Sequence, residues 1–213
     1  GAVDLPQLPT IWDAGTVSLT VGILAAATID NHHGGSFAMT GGRLTVDLFQ
    51  DGSFSQDGGT LAPGDVLAGT TAFTGILGLE AGATLEIDVG GVTAGSQHDL
   101  VTTDSLFFTN NAALDVELIN GFVPDAADTF TVLTSATNFL GSFGNVASGA
   151  RLTTSDGAGS FLVTYGGGSL SVVLSDFQPP SPAQLVPEPT TLTVAFLGLL
   201  GLLLPRATFE FSA

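Results

Sequence analysis

Four carboxylates carry the most suggestive spacing in this chain. Glu86 and Asp88 lie two residues apart in Thr84-Leu85-Glu86-Ile87-Asp88-Val89, and Asp115 and Glu117 repeat the spacing in Leu114-Asp115-Val116-Glu117-Leu118. On an extended strand such residues share a face, with Cα atoms roughly 6.6 Å apart. Glycosidase carboxylates sit about 5 to 9.5 Å apart, but catalysis also needs an apolar pocket to raise one pKa. The same pair on two strands reads as a solvated face, so no catalytic residue is assigned. If the strands lie on adjacent rungs, the carboxylates repel one another. A hard, oxygen-seeking cation such as Ca²⁺ relieves that repulsion. Glu86, Asp88, Asp115 and Glu117 are therefore candidate calcium ligands, and no other cofactor is implied.

The remaining chemistry-bearing pieces lack the context they need. His32-His33, between Asp30-Asn31 and Gly34-Gly35, would point to opposite faces of a strand and reads as a polar turn. Asp51-Gly52-Ser53 and Asp57-Gly58-Gly59 are turn signatures that fall short of a calcium-binding EF-hand loop. His98-Asp99 has no Gly-x-Ser-x-Gly elbow to complete a triad. A polysaccharide lyase wants a basic residue for proton abstraction, and only Arg43 and Arg151 precede residue 186. With no Cys there is no disulfide framework, thiolate metal site or Cys nucleophile. The chain reads as a non-enzyme.

The charge balance narrows the partners. Twenty acidic residues stand against three arginines, for a net charge of -17, which repels nucleic acid and anionic lipid. Yet only 11% of residues are charged and 44% are hydrophobic, too apolar for a disordered acidic segment.

From Thr16 to Phe177 short segments alternate apolar and polar residues, the signature of strands with one buried and one wet side. Leu44–Leu48, 84–89 and 114–118 are the clearest; 16–21, 130–134, 161–165 and 169–175 follow. Leu85, Ile87, Val89, Leu114, Val116 and Leu118 should be buried, with the four carboxylates exposed. A Gly-Gly-x-Leu form recurs at Gly41, Gly58 and Gly167, marking tight corners. Repeated corners between short strands suit a parallel β-helix, or solenoid, whose rungs stack over a continuous core. The alternative is a β-sandwich or jelly roll with ordinary hairpins. The expected organisation is an extended segment over 1–15, a β-solenoid over 16–177, a Pro-rich linker over 178–186 and an apolar tail over 187–213. The start, Gly1-Ala2-Val3-Asp4, fits a removed leader or a trimmed chain.

The tail, Val186-Pro187-Glu188-Pro189-Thr190-Thr191-Leu192, its uncharged run to Leu204 and Arg206 resemble a PEP-CTERM sorting domain. That family pairs a Pro-Glu-Pro motif with a transmembrane helix and a basic end, and is associated with export and sorting in Gram-negative bacteria. The resemblance implies that Pro187, Glu188, Pro189 and Arg206 form a sorting or anchoring motif. The usual basic cluster is reduced here to Arg206. Gly59-Thr60-Leu61-Ala62-Pro63-Gly64, Gln97-His98-Asp99-Leu100-Val101, Asp128-Thr129-Phe130-Thr131-Val132-Leu133 and Gly141-Ser142-Phe143-Gly144-Asn145-Val146 occur in an order similar to the last coils of autotransporter-like β-solenoid repeat proteins of planctomycete type. That likeness implies a parallel β-helix outside the cell, without enzyme activity.

These readings point to a structural protein, secreted or on the cell surface, that assembles with copies of itself into a fibre or matrix. The membrane is a partner through the tail. The alternative is an adhesin that binds extracellular polysaccharide, with Trp12 as its aromatic platform. Thr208-Phe209-Glu210-Phe211-Ser212 alternates like a strand, with Phe209 and Phe211 on one face. It is a candidate inter-subunit strand, added to an open sheet edge of a neighbour.

Overall fold

A computed structural model describes residues 10–12, 16–31, 36–108, 111–166 and 170–181. The chain divides into two units at Pro180–Ser181, and every described strand lies in the first. Among the described residues there are twelve strands and no helix: β1 (Thr10–Trp12), β2 (Thr16–Leu19), β3 (Ile23–Asp30), β4 (Ser36–Leu61), β5 (Thr70–Leu79), β6 (Ala83–Val89), β7 (Leu100–Phe108), β8 (Ala113–Leu118), β9 (Phe130–Leu140), β10 (Ala150–Thr153), β11 (Ser160–Tyr165) and β12 (Ser171–Gln178). The first described strand, β1, thus lies inside the segment expected to be an extended lead-in.

All twelve belong to one mixed sheet that curls into a nearly closed, barrel-like body. From β1 through β3, β4, β5, β7 and β9 every neighbour runs parallel. β2 and β6 also lie parallel to β4, and β8 parallel to β6. The expectation of a wholly parallel sheet gives way at the C-terminus, where β12, β11 and β10 follow β9 antiparallel. The reason is connection length. Ser160–Tyr165 and Ser171–Gln178 are joined by a short link, which allows only an antiparallel return, whereas parallel neighbours need a long crossover.

The 26-residue β4 is what the Gly-Gly signals conceal. It pairs β2 through Ser36–Met39, β3 through Arg43–Gln50, β5 through Leu48–Gln56 and β6 through Gly59–Leu61. One strand therefore turns past four partners, and its glycine pairs are bends inside it rather than breaks. Gly42 and Gly59 both hold positive φ, +77° and +78°. A Cβ on Gly59 would sit 2.5 Å from the Gly42 carbonyl oxygen. The chain crosses itself here more closely than any side chain allows.

Inward positions of successive strands fill one core. Phe37, Phe49, Phe54 and Phe73 stack with ring centroids 5.2 to 5.9 Å apart. Phe130, Phe161 and Phe177 form a second stack toward the C-terminus. Full burial of such a ring is worth roughly 1.5–3 kcal/mol, so the stacks add to the cohesion supplied by the buried aliphatic residues around them. Leu85, Ile87, Val89, Leu114 and Val116 are buried as expected, and Leu118 packs half-buried against the core.

The two ends of the parallel region differ. At the C-terminal end β12 covers Phe130–Thr134 of β9. The outer edge of β8 is covered by loop groups: Gly144 N–H donates to the Ala112 carbonyl and Ser155 N–H to that of Val116, while the Asn145 amide bonds both backbone groups of Leu114. At the N-terminal end, among the described residues, no strand lies on the outer edge of β2 or beside residues 23–27 of β3.

Candidate functional site

The predicted carboxylates do come together. Strands β6 and β8 pair Glu86 with Asp115 and Asp88 with Glu117, because a parallel register with matching alternation puts both acidic faces on the same side. The ladder is not the uniformly exposed one expected. Glu117 is exposed, Glu86 and Asp115 are half-buried, and Asp88 is only 3% exposed.

Asp88 is covered because the chain returns over it. After β6, residues 90–99 fold back so that Asp99 N–H donates to the Asp88 carbonyl at 3.0 Å. Asp99 is itself 1% exposed. Its Oδ2 accepts the Asp88 N–H at 2.9 Å and its Oδ1 the Gly69 N–H at 2.7 Å. One buried carboxyl thus ties β6 to the loop over residues 62–69. Leu100 N–H completes the tie by donating to the Gly69 carbonyl. Burial pushes the Asp99 carboxyl up to about 8, against the two N–H donors that hold it down. Burial, then the charges of Glu86 and Glu117, pushes Asp88 up to about 6.

His98 is buried beside Asp99. Its Nδ1 donates to the Gly91 carbonyl at 3.1 Å, and its ring meets Phe130 edge-on with centroids 5.3 Å apart. Burial lowers its pKa. His98-Asp99 therefore anchors a loop through backbone groups.

The two described arginines use one device, which the sequence did not disclose. Arg43 grips Glu86 with Nη1 at 2.6 Å and Nη2 at 2.7 Å, and Asp65 with Nε on Oδ1 at 2.8 Å and Nη2 on the backbone carbonyl at 2.7 Å. Arg151 holds Asp176 through Nη1 on Oδ2 at 2.8 Å and Nη2 on the carbonyl, and reaches Ser160 with Nε and Nη2. Asp65 and Asp176 both have positive φ, 65° and 47°. Each arginine thus clamps an aspartate in the left-handed region by carboxylate and carbonyl together. The planar, five-donor guanidinium suits that bidentate grip. Only the scarcity of basic residues hinted that each one present had a fixed task.

Chemically, the arrangement ties strands and loops together. Arg43 occupies both Glu86 oxygens and Asp88 is buried, so the calcium expectation rests on Asp115 and Glu117. Among the described residues no three His, Asp or Glu side chains converge as a metal site. His32, His33, Pro187, Glu188, Pro189, Arg206, Phe209 and Phe211 lie outside the described residues, as does the side chain of Trp12. Among the described residues no helix is long and apolar enough to cross a membrane. Neither a protein-family model nor a curated protein matches the chain.

Proposed function

We propose that the chain is a non-enzymatic structural protein of the cell exterior, built as a β-solenoid and assembling with copies of itself, with its PEP-CTERM-like tail serving export and sorting. The observation that carries this reading is the parallel register. Thr10 pairs Thr28, 18 positions on, and Val101 pairs Leu133, 32 positions on. From β1 to β9 each pass of the chain lies in parallel beside an earlier one, the stacking by which solenoids build a continuous core.

The polar groups support the same reading. The Arg43–Glu86 and Arg151–Asp176 pairs and the Asp99 carboxyl join separate segments of backbone, as a load-carrying scaffold requires. The net charge of -17 favours an extended, hydrated assembly over lateral clumping.

Electron microscopy of the purified full chain tests this reading, with a chain lacking residues 187–213 alongside. Fibres from the full chain, and a soluble β-rich particle from the shortened one, are expected. Fibres from both would make the tail a sorting or anchoring signal with no part in assembly. Isolated particles from both would overturn the self-assembly reading.

A further inference from the structure

We infer that the N-terminal sheet edge, formed by Val17–Leu19 of β2 and residues 23–27 of β3, is an interface that pairs with the same edge of a second copy. The inference deepens the self-assembly reading and rests on it for the identity of the partner.

Sheet edges left without a strand present free N–H and C=O groups and are normally paired, covered or charged. This edge carries no charged side chain, since none occurs between Asp13 and Asp30. Its side chains also invite contact. Val21, in the corner between β2 and β3, is 80% exposed, and Ile23, the first residue of β3, is 55% exposed. In a chain of net charge -17, two copies approach most easily where neither brings a carboxylate.

The fold also indicates which copy-to-copy arrangement fits. A head-to-tail stack needs a complementary edge at the other end. There the β8 edge is occupied by Gly144, Asn145 and Ser155, and the first half of β9 by β12. Among the described residues only the second half of β9, residues 135–140, has no strand on its outer side there, so residues 23–27 of one copy find no open strand opposite them on the C-terminal end of another. An isologous contact, with the same patch on both partners, lets both open edges meet and closes at two subunits. Covering the edge from within the chain is disfavoured by sequence. The sequence just before β1 carries Pro6 and Pro9, which have no N–H to offer a sheet edge.

Sedimentation of the full chain, with spin labels on Val21→Cys in the otherwise cysteine-free protein, tests the interface. A dimer with one short label-to-label distance is expected as the smallest associated species, and as the repeating pair within any fibre the full chain forms. Val21→Lys combined with Ile23→Lys should give a monomer, since like charges then face each other. Both side chains are exposed, so the β-sheet circular dichroism and melting temperature should persist. A dimer that survives the double lysine variant overturns the inference. So does a long label-to-label distance in a growing series of oligomers, which marks head-to-tail stacking. The chain lacking residues 187–213 should still form this dimer, and a monomer there overturns the inference. A dimer without fibres would uphold the interface and overturn the fibre reading, and lysine-resistant fibres would do the reverse.

Discussion

Asn145 serves Leu114 as a neighbouring strand would: its Nδ2 donates to the Leu114 carbonyl at 2.8 Å and its Oδ1 accepts the Leu114 N–H at 3.0 Å. A single side-chain amide thereby satisfies both backbone groups of a residue on the last parallel strand of that face. Asn145→Ala leaves the pair without its partner and should lower stability by about 1–3 kcal/mol. Asn145→Asp, which accepts but cannot donate and so sets a carboxylate oxygen against the Leu114 carbonyl, should not recover the loss. Urea unfolding of the three proteins checks the order.

Arg43 holds β4, the 62–69 loop and β6 in one place. Arg43→Ala should strip Glu86 of its countercharge and leave it beside Asp88 and Asp115. A loss of about 1–3 kcal/mol is expected, from charge-assisted bonds at a part-buried site. Ile87→Ala, at a fully buried position of β6, should cost about 2–5 kcal/mol. Salt separates the two: added NaCl should change the Arg43→Ala deficit and leave that of Ile87→Ala as it was. The same proteins test calcium. A melting temperature higher in Ca²⁺ than in chelator at equal ionic strength, above all in Arg43→Ala, is the expected sign of a carboxylate ladder that takes the ion. Equal temperatures in both proteins would remove calcium from the account.

Stability should fall as pH rises toward 8. The Asp99 and Asp88 carboxyls titrate near 8 and 6 in the fold and near 3.9 unfolded, so between those values the folded chain holds more protons. Their contribution is complete below about pH 4 and is lost as pH climbs through the folded values. His98, lowered by burial, works the other way below its unfolded value of about 6.5. Between about pH 6.5 and 8 Asp99 dominates, with a slope of up to about 1.4 kcal/mol per pH unit. Asp99→Asn should flatten that slope, as read from denaturation midpoints, whatever it does to stability at one pH.

Two glycines with similar φ should respond differently to the same change. Gly59→Ala meets the Gly42 carbonyl oxygen at 2.5 Å, whereas Gly121 (φ +69°) has nothing within 4 Å of an added Cβ. Gly121→Ala should cost about 1–2 kcal/mol, the backbone penalty alone. Gly59→Ala should cost clearly more, because the contact is backbone on backbone and neither side can swing away. Comparable thermal shifts would argue against the close crossing inside β4.

Alternation made β6 and β8 legible, and with them the burial of Ile87 and Val116, because a period of two is written locally. The burial of Asp88 was not legible. It depends on Asp99 returning over the strand, a contact set by a fold-back that no local pattern records. Gly41-Gly42 and Gly58-Gly59 signal corners in the sequence, but β4 runs on through both. Glycine permits a bend but does not say whether pairing continues through it. The arginine clamps escaped for a third reason: their partners lie 22, 43 and 25 positions away.

The mixed pairing gives the chain a direction of folding. Tyr165 pairs Val172 and Thr153 pairs Ser160, each seven positions apart, while Ile23 must find Arg43 twenty positions on. Closing the longer loop costs about 1 kcal/mol more, and local pairings form fastest. The antiparallel ribbon of β10, β11 and β12 is thus the natural nucleus, from which the passes add back toward the N-terminus. A chain made or threaded amino end first would present its early passes before their template existed. Pulse-labelled hydrogen exchange during refolding should find Val163 and Val172 protected before Leu44 and Val46.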